Sequence, residues 1–162
     1  DEDNLYLLLD NLRGGDLFNV IQNAHRRRDG DDGGGEAGLP SKHSRFYAAC
    51  ILDALLYMHR LSICYRNLKP EHVLIDSDGY CVLVDMSLAK DVPKGEKTFT
   101  FCGTAEYMAP EIVLNIGHNR GVDYWALGIL IYEMLVGNSP FCQRDENDDL
   151  ALLRRIARNP IP

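Results

Sequence analysis

The sequence predicts an α+β fold, mainly helical, with one short β-hairpin. Three observations carry this reading. Apolar residues recur at spacings of three and four from Ser41 to Leu61, at Phe46, Cys50, Ala54, Met58 and Leu61, which is the helical period. Tyr124 to Leu135 is apolar nearly all round, as suits a central, buried helix. Val73 to Ile75 and Tyr80 to Val84 are short strand-like runs joined by Asp76-Ser77-Asp78-Gly79, a hairpin with a glycine-bearing loop.

The other elements follow in chain order. Leu5 to Leu9 is a continuous apolar run compatible with a buried strand. Gly14-Gly15-Asp16 reads as a turn, with Asp16 the N-cap of a helix from Leu17 to about His25. From Arg26 to Gly38 the composition changes to three arginines and then mostly Asp and Gly. Too little apolar area is available there to offset ordering entropy, so residues 26–40 are expected to form a disordered surface insertion. Residues 87–110 hold several Gly, Thr and Pro without a sustained period, the pattern of a long functional loop. Gly137 is placed to end the central helix, and Asp148 to Arg158 is amphipathic through Leu150, Leu153 and Ile156. No internal repeat is present. The chain opens directly into the first run and stops just after the last helix, so it is expected to be a fragment.

At 162 residues and 46% hydrophobic, the chain has the size of one globular domain. It carries 24 acidic and 17 basic residues, a formal net charge of -7, which argues against a nucleic-acid or anionic-membrane surface and favours cationic partners. Its five cysteines are scattered singly, without a C-x-x-C pair, which fits a reduced, cytoplasmic setting. The most apolar helix is interrupted by Glu133 and is too short to span a bilayer. Gly33-Gly34-Gly35-Glu36-Ala37-Gly38 satisfies a phosphate-loop pattern, but no strand precedes it and Asp29, Asp31, Asp32 and Glu36 would repel a nucleotide. It reads as linker.

Five spaced elements carry the chemistry: Tyr65-Arg66-Asn67-Leu68-Lys69-Pro70-Glu71-His72; Asp85-Met86-Ser87; Ala109-Pro110-Glu111; Asp123-Tyr124-Trp125-Ala126-Leu127-Gly128; and the opening run leading to Gly14-Gly15-Asp16. In this order and spacing the chain resembles the eukaryotic protein kinase family. The stretch Thr98 to Tyr107 resembles the AGC group, and Leu114-Asn115-Ile116-Gly117-His118 is most similar to cyclic-nucleotide-dependent kinases, particularly the cGMP-dependent ones.

The resemblance implies a kinase-like C-lobe running from the inter-lobe hinge to the helix after the central buried one, residues 1–162, with the N-lobe absent. It implies ATP and Mg²⁺ as cofactors. Backbone groups of Asp10 and Leu12 would hold adenine above Leu74, and Lys69 would neutralise the transferring phosphoryl group. Asp85 would bind the Mg²⁺ that bridges the phosphates. Thr100 matches the activation-loop phosphosite, Arg66 would pair with its phosphate, and Thr104 would tie that loop to the catalytic loop. Asp16, Glu71 and Glu133 match positions that hold substrate arginines, where carboxylates pair with guanidinium. Phe101, Ala105 and Met108 would shape the pocket for the residue after the phosphoacceptor, Ala105 replacing the usual proline. Asp123, at a buried helix start, can hold the catalytic-loop backbone.

Each assignment has a plainer counterpart. Lys69 reads equally as a solvated lysine, Asp85 as a turn-capping aspartate, and the three acids as solvated carboxylates or caps. Cys102 is an oxidisable thiol or an inert one, and Arg26-Arg27-Arg28 is a solvated charge cluster.

Three positions break the family pattern. Asn67 stands where the catalytic aspartate is expected, and an amide cannot act as a carboxylate base; such assistance is worth about 10²–10⁴-fold. His72 replaces the asparagine of the second metal position, and imidazole suits magnesium poorly. Ser87 replaces a glycine, restricting the backbone. The sequence therefore predicts a serine/threonine protein kinase acting near basic residues of a protein or peptide, with impaired catalysis. The alternative is a pseudokinase scaffold that binds nucleotide without turnover. A lobe without its N-lobe also lacks the Gly-rich loop and the lysine–glutamate pair that hold ATP, and it is expected to expose apolar surface at the hinge side and on its last helix.

Overall fold

The computed structural model describes residues 3–4, 6, 8–28, 38–141 and 148–158. Its helices are α1 (Leu17–Arg28), α2 (Ser41–Arg60), α3 (Pro110–Val113), α4 (Gly121–Val136) and α5 (Asp149–Arg158). Two antiparallel ribbons accompany them. One pairs β1 (Ile63–Cys64) with β4 (Lys90–Asp91), and the other pairs β2 (Val73–Ile75) with β3 (Cys81–Leu83). Asp76 closes the second hairpin: its Oδ1 accepts the N–H groups of Asp78 and Tyr80 at 2.8 and 2.9 Å, the side-chain turn expected of aspartate.

The expected N-cap forms, with Asp16 Oδ1 accepting the Asn19 N–H at 2.7 Å. Beyond the expected end near His25, α1 runs on to Arg28, because arginine is itself a good helix former. At the other edge of the expected insertion, Leu39 is buried and its N–H donates to Met134 O at 2.6 Å. Gly38 crosses α4 so closely that a Cβ would overlap the Leu135 carbonyl. The stretch 26–40 is thus ordered at both edges, while residues 29–37, with most of the phosphate-loop look-alike, lie outside the described residues.

α4 forms the centre, burying Val122, Asp123, Ala126, Leu127, Ile129, Leu130, Glu133 and Met134. It ends on Gly137, whose φ of 87° is the left-handed conformation that closes helices. Leu17 and Ile21 from α1, Ile51 and Leu55 from α2, and Tyr65, Leu68 and Val73 pack with it into one core. A smaller cluster joins Met108, Ala109, Ile112 and Val122.

Two expectations change. Of the Leu5–Leu9 run, Leu5 and Leu7 lie outside the described residues; Tyr6, Leu8 and Leu9 are exposed, and among the described residues they form no strand. The last helix turns Leu152 and Ile156 inward and leaves Leu150 exposed. No described helix is long and apolar enough to cross a membrane.

Candidate active site

Asp123, 1% exposed, organises the loop that precedes the site. Its Oδ2 accepts the Tyr65 N–H at 2.9 Å and its Oδ1 the Arg66 N–H at 2.7 Å. His59 Nε2 lies 2.7 Å from Oδ2, and His59 Nδ1 lies 3.1 Å from the Tyr124 hydroxyl. A buried carboxylate needs such donors to offset its desolvation. With its N–H captured, Arg66 sits at a φ of 63°, a conformation that costs a non-glycine residue about 1–3 kcal/mol and survives only when its surroundings impose it. The Tyr65 hydroxyl donates to Val84 O, tying the loop to the strand exit just before Asp85.

Asn67, His72, Asp85 and Ser87 come together. Asn67 is buried, and its Nδ2 donates to Asp85 Oδ2 at 3.1 Å. His72 Nε2 approaches the same oxygen at 3.3 Å, while His72 Nδ1 lies 2.9 Å from the Asn67 backbone oxygen. Ser87 N–H donates to Asp85 Oδ1 at 3.1 Å. Asp85, exposed and at a φ of 57°, is held below the usual carboxylate range chiefly by Ser87, through its side chain and N–H; desolvation opposes this, and His72 and the Asn67 amide add smaller lowering contributions.

These donors do not fit a magnesium ion. The ion requires oxygen ligands in near-ideal octahedral order, whereas Asp85 Oδ2 is engaged by an amide and an imidazole. Among the described residues, no group of three or more His, Cys, Asp or Glu is arranged to hold a metal.

A second constellation is acidic. Glu133 is buried on α4, and the Tyr107 hydroxyl donates to its Oε2. Burial pushes the Glu133 carboxyl up to about 7; Tyr107 opposes the shift, and Glu106 and Glu71 add to it. Glu106 is itself raised, first by burial and then by Glu71 and Asp149. Asp16 has its two carboxylate oxygens taken by the Asn19 N–H and Nδ2.

The remaining candidates are more dispersed. Lys69 is half-buried in extended backbone, and its carbonyl accepts the His72 N–H at 3.0 Å. Gly14 N–H donates to Ile75 O and Ile75 N–H to Gly15 O, each at 2.9 Å. This pairing runs the segment after exposed Asp10 and half-buried Leu12 along the free edge of β2, beside Leu74, which also bridges to Asp16. Thr104 and Met108 line a narrow cavity with Arg66 and Leu68; Ala105 packs on the main core, and Phe101 projects into solvent. Thr100 is exposed, its hydroxyl 3.4 Å from that of Thr98, to which Lys90 Nζ donates at 2.9 Å. Arg66 Nε donates to Leu88 O at 2.8 Å, while its Nη1 is buried without a hydrogen-bond partner among the described residues, as is His118 Nε2.

Sequence reasoning missed His59, Glu106 and Tyr107. His59 lies 64 positions from its aspartate, so no local spacing could reveal it. Glu106-Tyr107 adjoins residues already singled out and could have been read as part of the acidic group.

A sequence model described as "Protein kinase domain" matches residues 1–159. cGMP-dependent protein kinase 2 of Rattus norvegicus is 45% identical over 146 residues, covering 90% of this chain and 18% of that protein. cAMP-dependent protein kinase catalytic subunit 3 of Drosophila melanogaster is 48% identical over 141 residues, covering 87% of this chain and 22% of that protein. The chain thus spans 18% and 22% of the lengths of these two relatives.

Proposed function

Because this chain belongs to the protein kinase family, we propose that it is the substrate-gripping lobe of a serine/threonine kinase that acts near basic residues, with its phosphotransfer impaired from within. Protein kinases as a family use ATP and Mg²⁺, and AGC kinases are among the relatives of this chain. The observation that carries the reading is the Asn67 amide donating to Asp85. At the position that would orient and deprotonate a substrate hydroxyl, the chain presents a neutral group already engaged with its neighbour.

Substrate recognition is supported by Glu133, Glu106 and Glu71, which share one electrostatic environment around the Tyr107 hydroxyl. An arriving guanidinium supplies the cation this cluster lacks and forms charge-assisted bonds with its carboxylates. Thr100, whose hydroxyl lies 3.4 Å from the Thr98 hydroxyl that Lys90 also reaches, is the regulatory phosphosite in this reading. Exposed Tyr6, Leu8 and Leu9 are the surface on which an N-lobe would close in the full-length protein. The domain reading is a partial kinase domain over residues 1–162 carrying an inserted segment within 26–40, and its setting is the cytoplasm.

Phosphate transfer to an arginine-containing peptide by the full-length protein, beside the Asn67→Asp/His72→Asn variant, tests the reading. The wild type is expected to be slower by about 10²–10⁴-fold, the span of lost general-base assistance. Equal turnover would sink it. The second reading, a scaffold that binds nucleotide without turnover, is favoured by the closure of His72 on Asp85, and it predicts that both proteins are silent.

A further inference from the structure

We infer that His72 and Asn67 occupy the place of the divalent cation in this chain, closing Asp85 into an internal clamp that needs no metal. The inference rests on the assignment of these residues to the phosphotransfer site.

The geometry of Asp85 decides it. A carboxylate offers about four lone-pair sites. Here Oδ2 accepts from Asn67 Nδ2 at 3.1 Å, with His72 Nε2 3.3 Å from the same oxygen, and Oδ1 accepts the Ser87 N–H at 3.1 Å. A cation entering this site would have to displace donors that are already in place.

Asn67, His72 and Ser87, the three altered positions of this site, all contact Asp85. His72 is aimed by its second nitrogen, which lies 2.9 Å from the Asn67 backbone oxygen, so it cannot swing from Asp85 without breaking another contact. Ser87 follows Asp85 by two positions and donates its N–H to it from the loop side, with Asp85 in a left-handed conformation. The substitutions are mutually consistent: an amide donates to, and an imidazole lies against, the oxygen on which an aspartate and an asparagine would need a metal between them. The single change Asn67→Asp would set a second carboxylate about 3 Å from Asp85, where like charges repel strongly.

Thermal unfolding of the full-length protein in EDTA and in about 10 mM MgCl₂ tests the inference. The wild type is expected to show the same Tm in both. The Asn67→Asp/His72→Asn variant, with two facing carboxylates and no clamp, is expected to gain about 2–4 °C from Mg²⁺. Asp85→Asn in the wild-type background gives an independent sign. A clamp predicts a lower Tm in EDTA because the contacts to the charged carboxylate are lost, whereas a carboxylate that these contacts do not stabilise predicts an unchanged or higher one because only its desolvation cost is removed. Mg²⁺ stabilisation of the wild type equal to that of the double variant, a double variant that ignores Mg²⁺, or a higher Tm for Asp85→Asn in EDTA would each overturn the inference. Phosphotransfer measured separately reports on the kinase reading, so the two can fail independently.

Discussion

If Glu133 holds a substrate arginine, as proposed, it ties substrate affinity to pH, and replacing it with glutamine tests the link. Its carboxyl is raised to about 7 because it is buried beside Glu106 and Glu71 with only the Tyr107 hydroxyl as donor. About one tenth of it is ionised at pH 6 and about nine tenths at pH 8. A peptide arginine keeps its charge throughout this range and bonds strongly only to the ionised form. Affinity for an arginine-containing peptide should therefore rise about tenfold from pH 6 to pH 8, or about 1.4 kcal/mol. Glu133→Gln should flatten this dependence and, at pH 8, weaken binding by the value of a hydrogen bond to a charged group, about 1.5–3 kcal/mol. Fluorescence anisotropy of a labelled peptide with alanine at the phosphoacceptor position, titrated with the full-length protein, reads binding without turnover. A wild-type affinity that does not change between pH 6 and 8, or a Glu133→Gln protein that keeps the full dependence, would refute the reasoning. The stability term has the opposite sense. The folded carboxyl holds its proton up to about 7 and the unfolded one only to about 4.5, so the stabilisation is complete below the lower value and is lost as pH rises through the upper one.

Asp123→Asn leaves the Tyr65 and Arg66 N–H groups competing for one acceptor and turns an amide donor toward the other contacts; denaturant unfolding should show a loss of about 3–5 kcal/mol, the cost of breaking a buried charge network. Gly137→Ala places a Cβ at a φ of 87° and should cost about 1 kcal/mol in the same assay, from the left-handed penalty at the end of α4.

Helix and hairpin positions were legible because they depend on local chemistry. The β2 boundaries, the Asp16 cap and the Gly137 stop follow from turn residues and apolar period. The β1–β4 ribbon was not legible: each strand has two residues, and Ile63 and Cys64 find Asp91 and Lys90 only because the chain returns there. The inward face of α5 was legible in part: Ile156 is buried and Leu153 packs on the second cluster as the period suggests, while Leu150 is exposed and Leu152 takes its place inward. A ten-residue helix with several apolar positions can shift its inward face by one residue, and its packing on α3 and the turn at Ala105–Tyr107 decides which.

By itself the sequence determined the family resemblance and the identity of the three altered positions, since both reside in residue types at fixed spacing. Only the tertiary structure decided what those alterations do together. Asn67, His72 and Ser87 read as three separate losses along the chain. In space all three meet Asp85, Asn67 and Ser87 as donors and His72 as a ring nitrogen 3.3 Å away, because the turn at Pro70–His72 and the exit of β3 bring them to one carboxylate. Hydrogen-bond complementarity is a relation between atoms that are distant in sequence, and it exists only once the fold has brought them within about 3 Å.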